Sequence, residues 1–218
     1  MDIQQLISLD KELLLQYNGS DSLFWDGFMW IATNMLTWIP LAIGLLYVIF
    51  KNNKWKESLL IIVLLALVIT FSDQISSGFC KPYFARFRPT QDPELMYSHA
   101  ANTFGIAIFL SLIIRSWSLG IVLTVWAILN AYSRIYLGVH YPGDILFGTL
   151  TGLSVGILMY LLYNFLQIKC FSQTNYISNQ YTSGGYLKND ISLIHTILIL
   201  TLFYITIGGM IMTHTHYF

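Results

Sequence analysis

Long apolar stretches that carry almost no charge recur along this chain of 218 residues, and they limit the folds that it can adopt. Hydrophobic residues make up 56% of the chain and charged residues only 10%, too few to cover an ordinary soluble domain. The formal net charge is 0, which argues against a nucleic-acid partner, since phosphate-backbone binding needs a surplus of Lys and Arg. A helix crosses the hydrocarbon core with about 20 mostly apolar residues, and several stretches reach that length. The sequence therefore predicts an all-α, polytopic membrane helical bundle.

Six transmembrane helices are predicted, in a single domain that covers residues 1–218. Their ranges are 23–50, 57–78, 100–115, 117–136, 143–167 and 192–213. Residues 3–17 form an amphipathic pattern of leucines and isoleucines among a few charges, and we expect an N-terminal interfacial helix. Packing of this helix against the bundle fits the same pattern equally well. Residues 171–190, rich in Ser, Asn, Tyr, Gly and Thr, are predicted to be a loop with little structure.

The basic residues after the first predicted span indicate how the bundle is oriented. Lys51, Lys54 and Lys56 lie in one short loop, and such positive charge is typical of the cytoplasmic side. We therefore expect a multi-pass protein of the cytoplasmic (inner) membrane. Both termini, the loop between the second and third predicted spans and the loop between the fourth and fifth would then face the periplasm or the exterior, as would any active site that these loops form.

Polar and charged residues gather in two of these exterior loops and in a short stretch between them. The first block reads KPYFARFRP at residues 81–89, the second reads SH at 98–99, and the third reads SRIYLGVHYPGD at 133–144. Ionisable groups at the edge of a bilayer are costly unless they face water or one another. These blocks are therefore the candidate functional site.

The cations in these blocks are of the types that bind phosphate. A phosphoryl group in transfer spreads negative charge over its oxygens, so a site without a metal ion needs several fixed positive charges. Lys81, Arg88 and Arg134 are the candidates, because arginine offers paired donors to phosphate oxygens and lysine offers a compact charge. Taken singly, each of them also fits an interfacial residue whose charge extends toward lipid headgroups.

The histidines and the aspartate are the candidates for the chemistry. If a helix begins near Pro142, Asp144 can turn back toward His140 and orient its imidazole as a nucleophile. His99 is the candidate acid for the leaving oxygen, its alternative being a helix-start histidine without catalytic duty. The alternative for Asp144 is a charge that complements the helix dipole. Three nearby cations would repel a divalent ion, so neither a metal nor a cofactor is predicted.

The first and third blocks resemble the signature of the type 2 phosphatidic acid phosphatase (PAP2) superfamily. That signature reads Lys-x6-Arg-Pro, then Pro-Ser-Gly-His, then Ser-Arg-x5-His-x3-Asp, and it is matched at residues 81–89 and 133–144 in the same order. With the six-helix layout, the resemblance covers nearly the whole chain. It implies a membrane lipid phosphate phosphatase in which His140 forms a phosphohistidine, while His99 protonates the leaving oxygen and then activates water.

The middle block departs from the signature. Met96, Tyr97 and Ser98 precede His99, where the family has Pro, Ser and Gly. By position Ser98 replaces the glycine, and it is the candidate to take over the phosphate contact of the family serine.

The resemblance leaves the lipid substrate open. Its members act on undecaprenyl diphosphate, phosphatidylglycerol phosphate, phosphatidic acid and the phosphates of lipid A, and the breadth of the family favours the first. Two other functions fit the same residues: a lipid phosphotransferase with the same intermediate, and a lipid-phosphate-binding protein that has lost turnover through its altered middle block. The expected partners are a lipid phosphate and the bilayer.

Overall fold

A computed structural model describes residues 3–76, 99–171 and 178–215. Within these ranges the chain forms eight α-helices and one short 3-10 helix. The α-helices are α1 (Ile3–Tyr17), α2 (Leu23–Thr33), α3 (Ile39–Asn52), α4 (Trp55–Ile75), α5 (His99–Ile114), α6 (Trp117–Tyr136), α7 (Pro142–Cys170) and α8 (Lys188–Thr215).

Five helical stretches in the described ranges are long and apolar enough to cross a membrane. They are Met35–Asn52, Trp55–Ile75, Trp117–Tyr136, Pro142–Cys170 and Lys188–Thr215, while α5 is a shorter apolar helix. The predicted all-α, polytopic membrane bundle is thereby confirmed. The count of six crossings stays a prediction.

The first predicted span, 23–50, contains a break, so it is not one continuous helix. Asn34 is extended, with φ −74° and ψ 126°, and its side chain accepts a hydrogen bond from the amide of Leu36 at 2.9 Å. This contact begins a 3-10 turn, Met35–Trp38, and Pro40 then stands in the first turn of α3, where proline is favoured. Both α2 and α3 pack against α8. Hydropathy did not reveal the break, because the apolar pattern continues through it.

Helices α5 and α7 pack backbone against backbone. On α7, glycine recurs every fourth residue at Gly148, Gly152 and Gly156. A Cβ on Gly152 would overlap the carbonyl oxygen of Ala101, and one on Gly156 would lie 2.7 Å from the carbonyl oxygen of Gly105. Small residues at this spacing let transmembrane helices approach closely. The contact places the first turns of α5 beside the first half of α7.

Residues 178–187 are ordered at the end of the bundle where α5 finishes, so the prediction of little structure is wrong for them. The Oγ1 of Thr182 donates to the carbonyl oxygen of Ile114 at 2.6 Å. The Oγ1 of Thr182 also accepts from the amides of Gly184 and Tyr186, at 3.3 and 3.2 Å. Thr182, one of the polar residues on which that prediction rested, hydrogen-bonds to the end of a helix instead.

Replacing Thr182 by valine should destabilise the bundle, because Thr182 is 7% exposed and its loss leaves three backbone groups without this partner. We expect a cost of about 1–3 kcal/mol, seen as a melting temperature lower by about 2–10 °C in detergent. The matched control is Thr70→Val, since Thr70 is exposed on α4 and, among the described residues, donates to the carbonyl of its own helix at Ala66. Equal melting temperatures for the two variants would contradict this role.

Candidate active site

The third polar block, residues 133–144, folds back on the end of α6. Gly138 has φ +67°, a conformation that glycine adopts without the steric cost met by other residues. Beyond it, the amide of His140 lies 3.4 Å from the carbonyl oxygen of Arg134 and donates to it. The turn therefore brings the backbone of His140 against the last turn of α6, next to Arg134.

Arg134 is buried at 4% exposure. Its Nη2 donates to the carbonyl oxygen of Thr33, the last residue of α2, at 2.9 Å. Its Nε is also buried and has no hydrogen-bond partner among the residues that the structure describes. Burying a guanidinium is costly unless its donors are used. The arrangement therefore leaves a fixed donor and a positive charge to which an anion such as phosphate can bind.

His140 and Asp144 lie side by side at the start of α7, which begins at Pro142 as the spacing predicts. The Oδ2 of Asp144 accepts from the amide of Tyr141 at 3.2 Å, so the helix start holds the carboxylate. The same oxygen lies 3.8 Å from Nδ1 of His140, with side-chain exposures of 14% for the histidine and 50% for the aspartate. This distance exceeds that of a hydrogen bond, although catalytic hydrogen bonds often tighten when substrate binds.

The geometry distinguishes the two ring nitrogens of His140. Its Nδ1 faces the carboxylate of Asp144. A hydrogen bond from Nδ1–H to a carboxylate selects the tautomer in which Nε2 carries the lone pair. At 3.8 Å the two atoms are not hydrogen-bonded, and a shorter contact on substrate binding would leave the lone pair on Nε2.

Three of the predicted phosphate-binding residues lie outside the described residues: Lys81, Arg88 and Ser98. His99, the predicted acid, begins α5. A Cβ on Gly148 would lie 3.3 Å from the Cβ of Ala100, so the start of α5 contacts α7 one turn beyond Asp144. The structure thus brings the chain at His99 to the same end of the bundle as the third block.

The N-terminal helix contributes a residue to this end of the bundle that the sequence analysis did not assign. Asp10 is buried at 9% exposure, and its Oδ1 accepts from the amide of Gly143 in the first turn of α7 at 2.8 Å. Helix α1 therefore packs against the bundle, and its location at the membrane interface stays a prediction. The sequence feature that could have indicated this role is a carboxylate within an apolar pattern. Its partner could not be predicted, because Gly143 is 133 residues away along the chain.

The model of the PAP2 superfamily matches residues 98–168. A lipid A 4'-phosphatase of Bacteroides thetaiotaomicron is 39% identical over 190 residues, which is 79% of this chain and 84% of the relative. A lipid A 4'-phosphatase of Porphyromonas gingivalis is 32% identical over 184 residues, which is 74% of this chain and 75% of the relative.

Relatives with lower identity are named for a different substrate. An undecaprenyl-diphosphatase of Sulfolobus acidocaldarius is 28% identical over 169 residues, covering 71% of this chain and 79% of the relative. No solved structure matches the chain significantly. Because the Bacteroides relative is 39% identical over 79% of the chain, and the family model includes residues 133–144, the protein belongs to the PAP2 superfamily as a membrane lipid phosphate phosphatase.

Proposed function

We propose that this phosphatase removes the 4'-phosphate of lipid A and releases inorganic phosphate. The observation that carries the chemistry is the contact between His140 and Asp144 beside the buried Arg134. The two relatives named as lipid A 4'-phosphatases support the choice of substrate, since they are more similar to this chain than the undecaprenyl-diphosphatases are.

The proposed reaction proceeds in two displacements at phosphorus. First, the lone pair on Nε2 of His140 forms a bond to phosphorus as the bond to the sugar oxygen breaks, and that oxygen takes a proton from His99. Next, a water molecule gives a proton to His99 and attacks phosphorus, and the bond between nitrogen and phosphorus breaks. Inorganic phosphate leaves, and both histidines return to their starting protonation states.

Arg134 and Asp144 support these steps electrostatically. The Nε of Arg134, which has no partner among the described residues, donates to a phosphate oxygen on which charge accumulates in the transition state. Lys81 and Arg88 are proposed to add the remaining positive charge, and Ser98 a hydroxyl donor. Asp144 stabilises the positive charge that develops on His140 during the attack.

We place the site on the periplasmic or exterior side of the cytoplasmic membrane. Lys54, between α3 and α4, and Lys56, in the first turn of α4, are both exposed. Asn53 donates to the hydroxyl of Tyr186, and Thr182 donates to the carbonyl oxygen of Ile114, so this segment lies at the end of the bundle where α5 finishes and α6 begins. The third block follows the opposite end of α6. Positive loops are favoured in the cytoplasm, which supports this orientation.

Undecaprenyl diphosphate is the second candidate substrate. It is supported by the names of two relatives, 28% and 29% identical to this chain. The same nucleophile and cations would break its phosphoanhydride bond, with phosphate in place of a sugar hydroxyl as the leaving group.

The substrate proposal predicts the outcome of a panel assay with the purified protein in detergent. Lipid A, undecaprenyl diphosphate, phosphatidylglycerol phosphate and phosphatidic acid are supplied separately, and inorganic phosphate is measured. We expect lipid A to give a kcat/KM at least about 10-fold above the others, and fragmentation of the product by mass spectrometry to show loss of the 4'-phosphate.

Each other outcome of the panel contradicts the proposal in a distinct way. Preference for undecaprenyl diphosphate would favour the second candidate. Binding of the lipids without phosphate release would favour a protein that has lost turnover. Phosphate that appears on an added acceptor lipid, with none released to water, would favour a phosphotransferase.

A further inference from the structure

Three residues, Asp10, Gly19 and Ser20, which we call the N-terminal brace, contact the loop of the third block at both of its ends. At the beginning of the loop, the amide of Gly19 donates to the carbonyl oxygen of Tyr136 at 2.9 Å, and the Ser20 and Tyr136 hydroxyls are 2.7 Å apart. At its end, Asp10 accepts from the amide of Gly143 at 2.8 Å. The brace therefore holds the segment that carries His140 from both sides.

The contact between Asp10 and Gly143 is closely fitted. A Cβ on Gly143 would lie 2.9 Å from Oδ2 of Asp10, so any other residue at this position would displace the carboxylate. Amides in the first turn of a helix have no partner within the helix, and the helix dipole favours a negative charge there. Asp10 is only 9% exposed, and a carboxylate is seldom buried to this extent unless it is paired.

The two carboxylates at the start of α7 have different partners. Asp144 accepts from the amide of Tyr141, whereas Asp10, which comes from another helix, accepts from the amide of Gly143. Gly143 directly precedes Asp144, so a rotation of that peptide would move the carboxylate relative to His140. At 3.8 Å, the His140–Asp144 contact is already near the limit of a useful interaction and is sensitive to small displacements.

We infer that Asp10 is a positioning residue for the phosphatase reaction. By holding the amide of Gly143, it keeps Asp144 against Nδ1 of His140 and the imidazole aimed at phosphorus, and it does not itself touch the substrate. This inference rests on the proposed role of His140 as the nucleophile. A displacement of about 1 Å at a reacting group can cost about 100-fold in rate, which sets the size of the expected effect.

The test compares phosphate release by Asp10→Ala and Asp10→Asn with the wild-type protein. We expect Asp10→Ala to lower kcat by about 10- to 100-fold with little change in KM. Asp10→Asn keeps an oxygen that accepts from Gly143, and it should retain kcat within about three-fold of wild type. The matched control is Glu12→Ala, an exposed carboxylate on the same helix, which should leave kcat unchanged.

Loss of folded protein must be separated from loss of positioning. Each variant is therefore assayed as a monodisperse preparation below its melting temperature, and kcat is expressed per folded molecule. Gly143→Ala provides a second perturbation, because its Cβ displaces the same carboxylate, and it should lower kcat in the wild-type background but add little to Asp10→Ala. If Asp10→Ala does not fold, Gly143→Ala replaces it with the same expectation.

The possible failures have different meanings. An inactive wild-type protein would contradict the proposed function. An active wild type with an equally active Asp10→Ala would overturn the inference alone, as would an Asp10→Asn variant no better than Asp10→Ala, or full additivity of Asp10→Ala and Gly143→Ala.

Discussion

Replacing His140 by alanine is expected to lower phosphate release by at least about 1000-fold, because a covalent route cannot proceed without its nucleophile. The remaining cations would still bind the lipid phosphate, so KM should change much less than kcat. Initial rates of phosphate release from the preferred lipid measure both quantities.

A control variant and a trapping experiment test whether the loss of activity comes from the loss of the nucleophile. The control is His195→Ala, since His195 is a half-buried histidine of α8 that lies outside the third block, and this variant should keep wild-type turnover. In rapidly quenched turnover with labelled substrate, the wild type should retain acid-labile phosphate, and His140→Ala should retain none. A His140→Ala variant with more than about a tenth of wild-type activity would exclude His140 as the nucleophile.

Replacing Gly152 by alanine is expected to cost about 3 kcal/mol or more of stability and to reduce the yield of monodisperse protein. The added Cβ overlaps the carbonyl oxygen of Ala101, and a backbone atom inside a helix cannot rotate away as a side chain can. Any protein that folds should also lose activity, because the displaced helix α5 begins at His99. Thermal unfolding and gel filtration in detergent measure the two stability effects.

The matched control for Gly152→Ala is Gly120→Ala on α6. A Cβ on Gly120 would lie 3.6 Å from the Oγ of Ser111, an ordinary contact. This variant should be neutral or slightly more stable, since alanine favours the helix over glycine by about 1 kcal/mol. Equal melting temperatures for the two variants would show that α5 and α7 tolerate a wider separation.

A helix could be predicted from the sequence where its start and end are set by residues close to them in the chain. The predicted range 117–136 coincides with α6, whose start is stabilised by Ser116 and whose end is followed by Gly138 at positive φ. The break at Asn34 escaped prediction because a single polar residue between apolar runs does not alter hydropathy. The order of residues 178–187 escaped as well, because Thr182 caps a helix end that lies 68 residues away in the chain.

In the candidate site, too, local features could be predicted from the sequence and long-range contacts could not. The membrane class, the resemblance to the family and the proximity of His140 to Asp144 could be predicted from local sequence, because two residues that flank a helix start lie within a single turn. The burial of Arg134 against the end of α2 and the contact of Asp10 with the start of α7 were found only in the structure, since their partners lie 101 and 133 residues away along the chain. Such contacts depend on how whole helices pack. Packing depends on the shapes of the helix surfaces and on small residues such as the glycines between α5 and α7, and a local sequence pattern does not show which helix will be the partner.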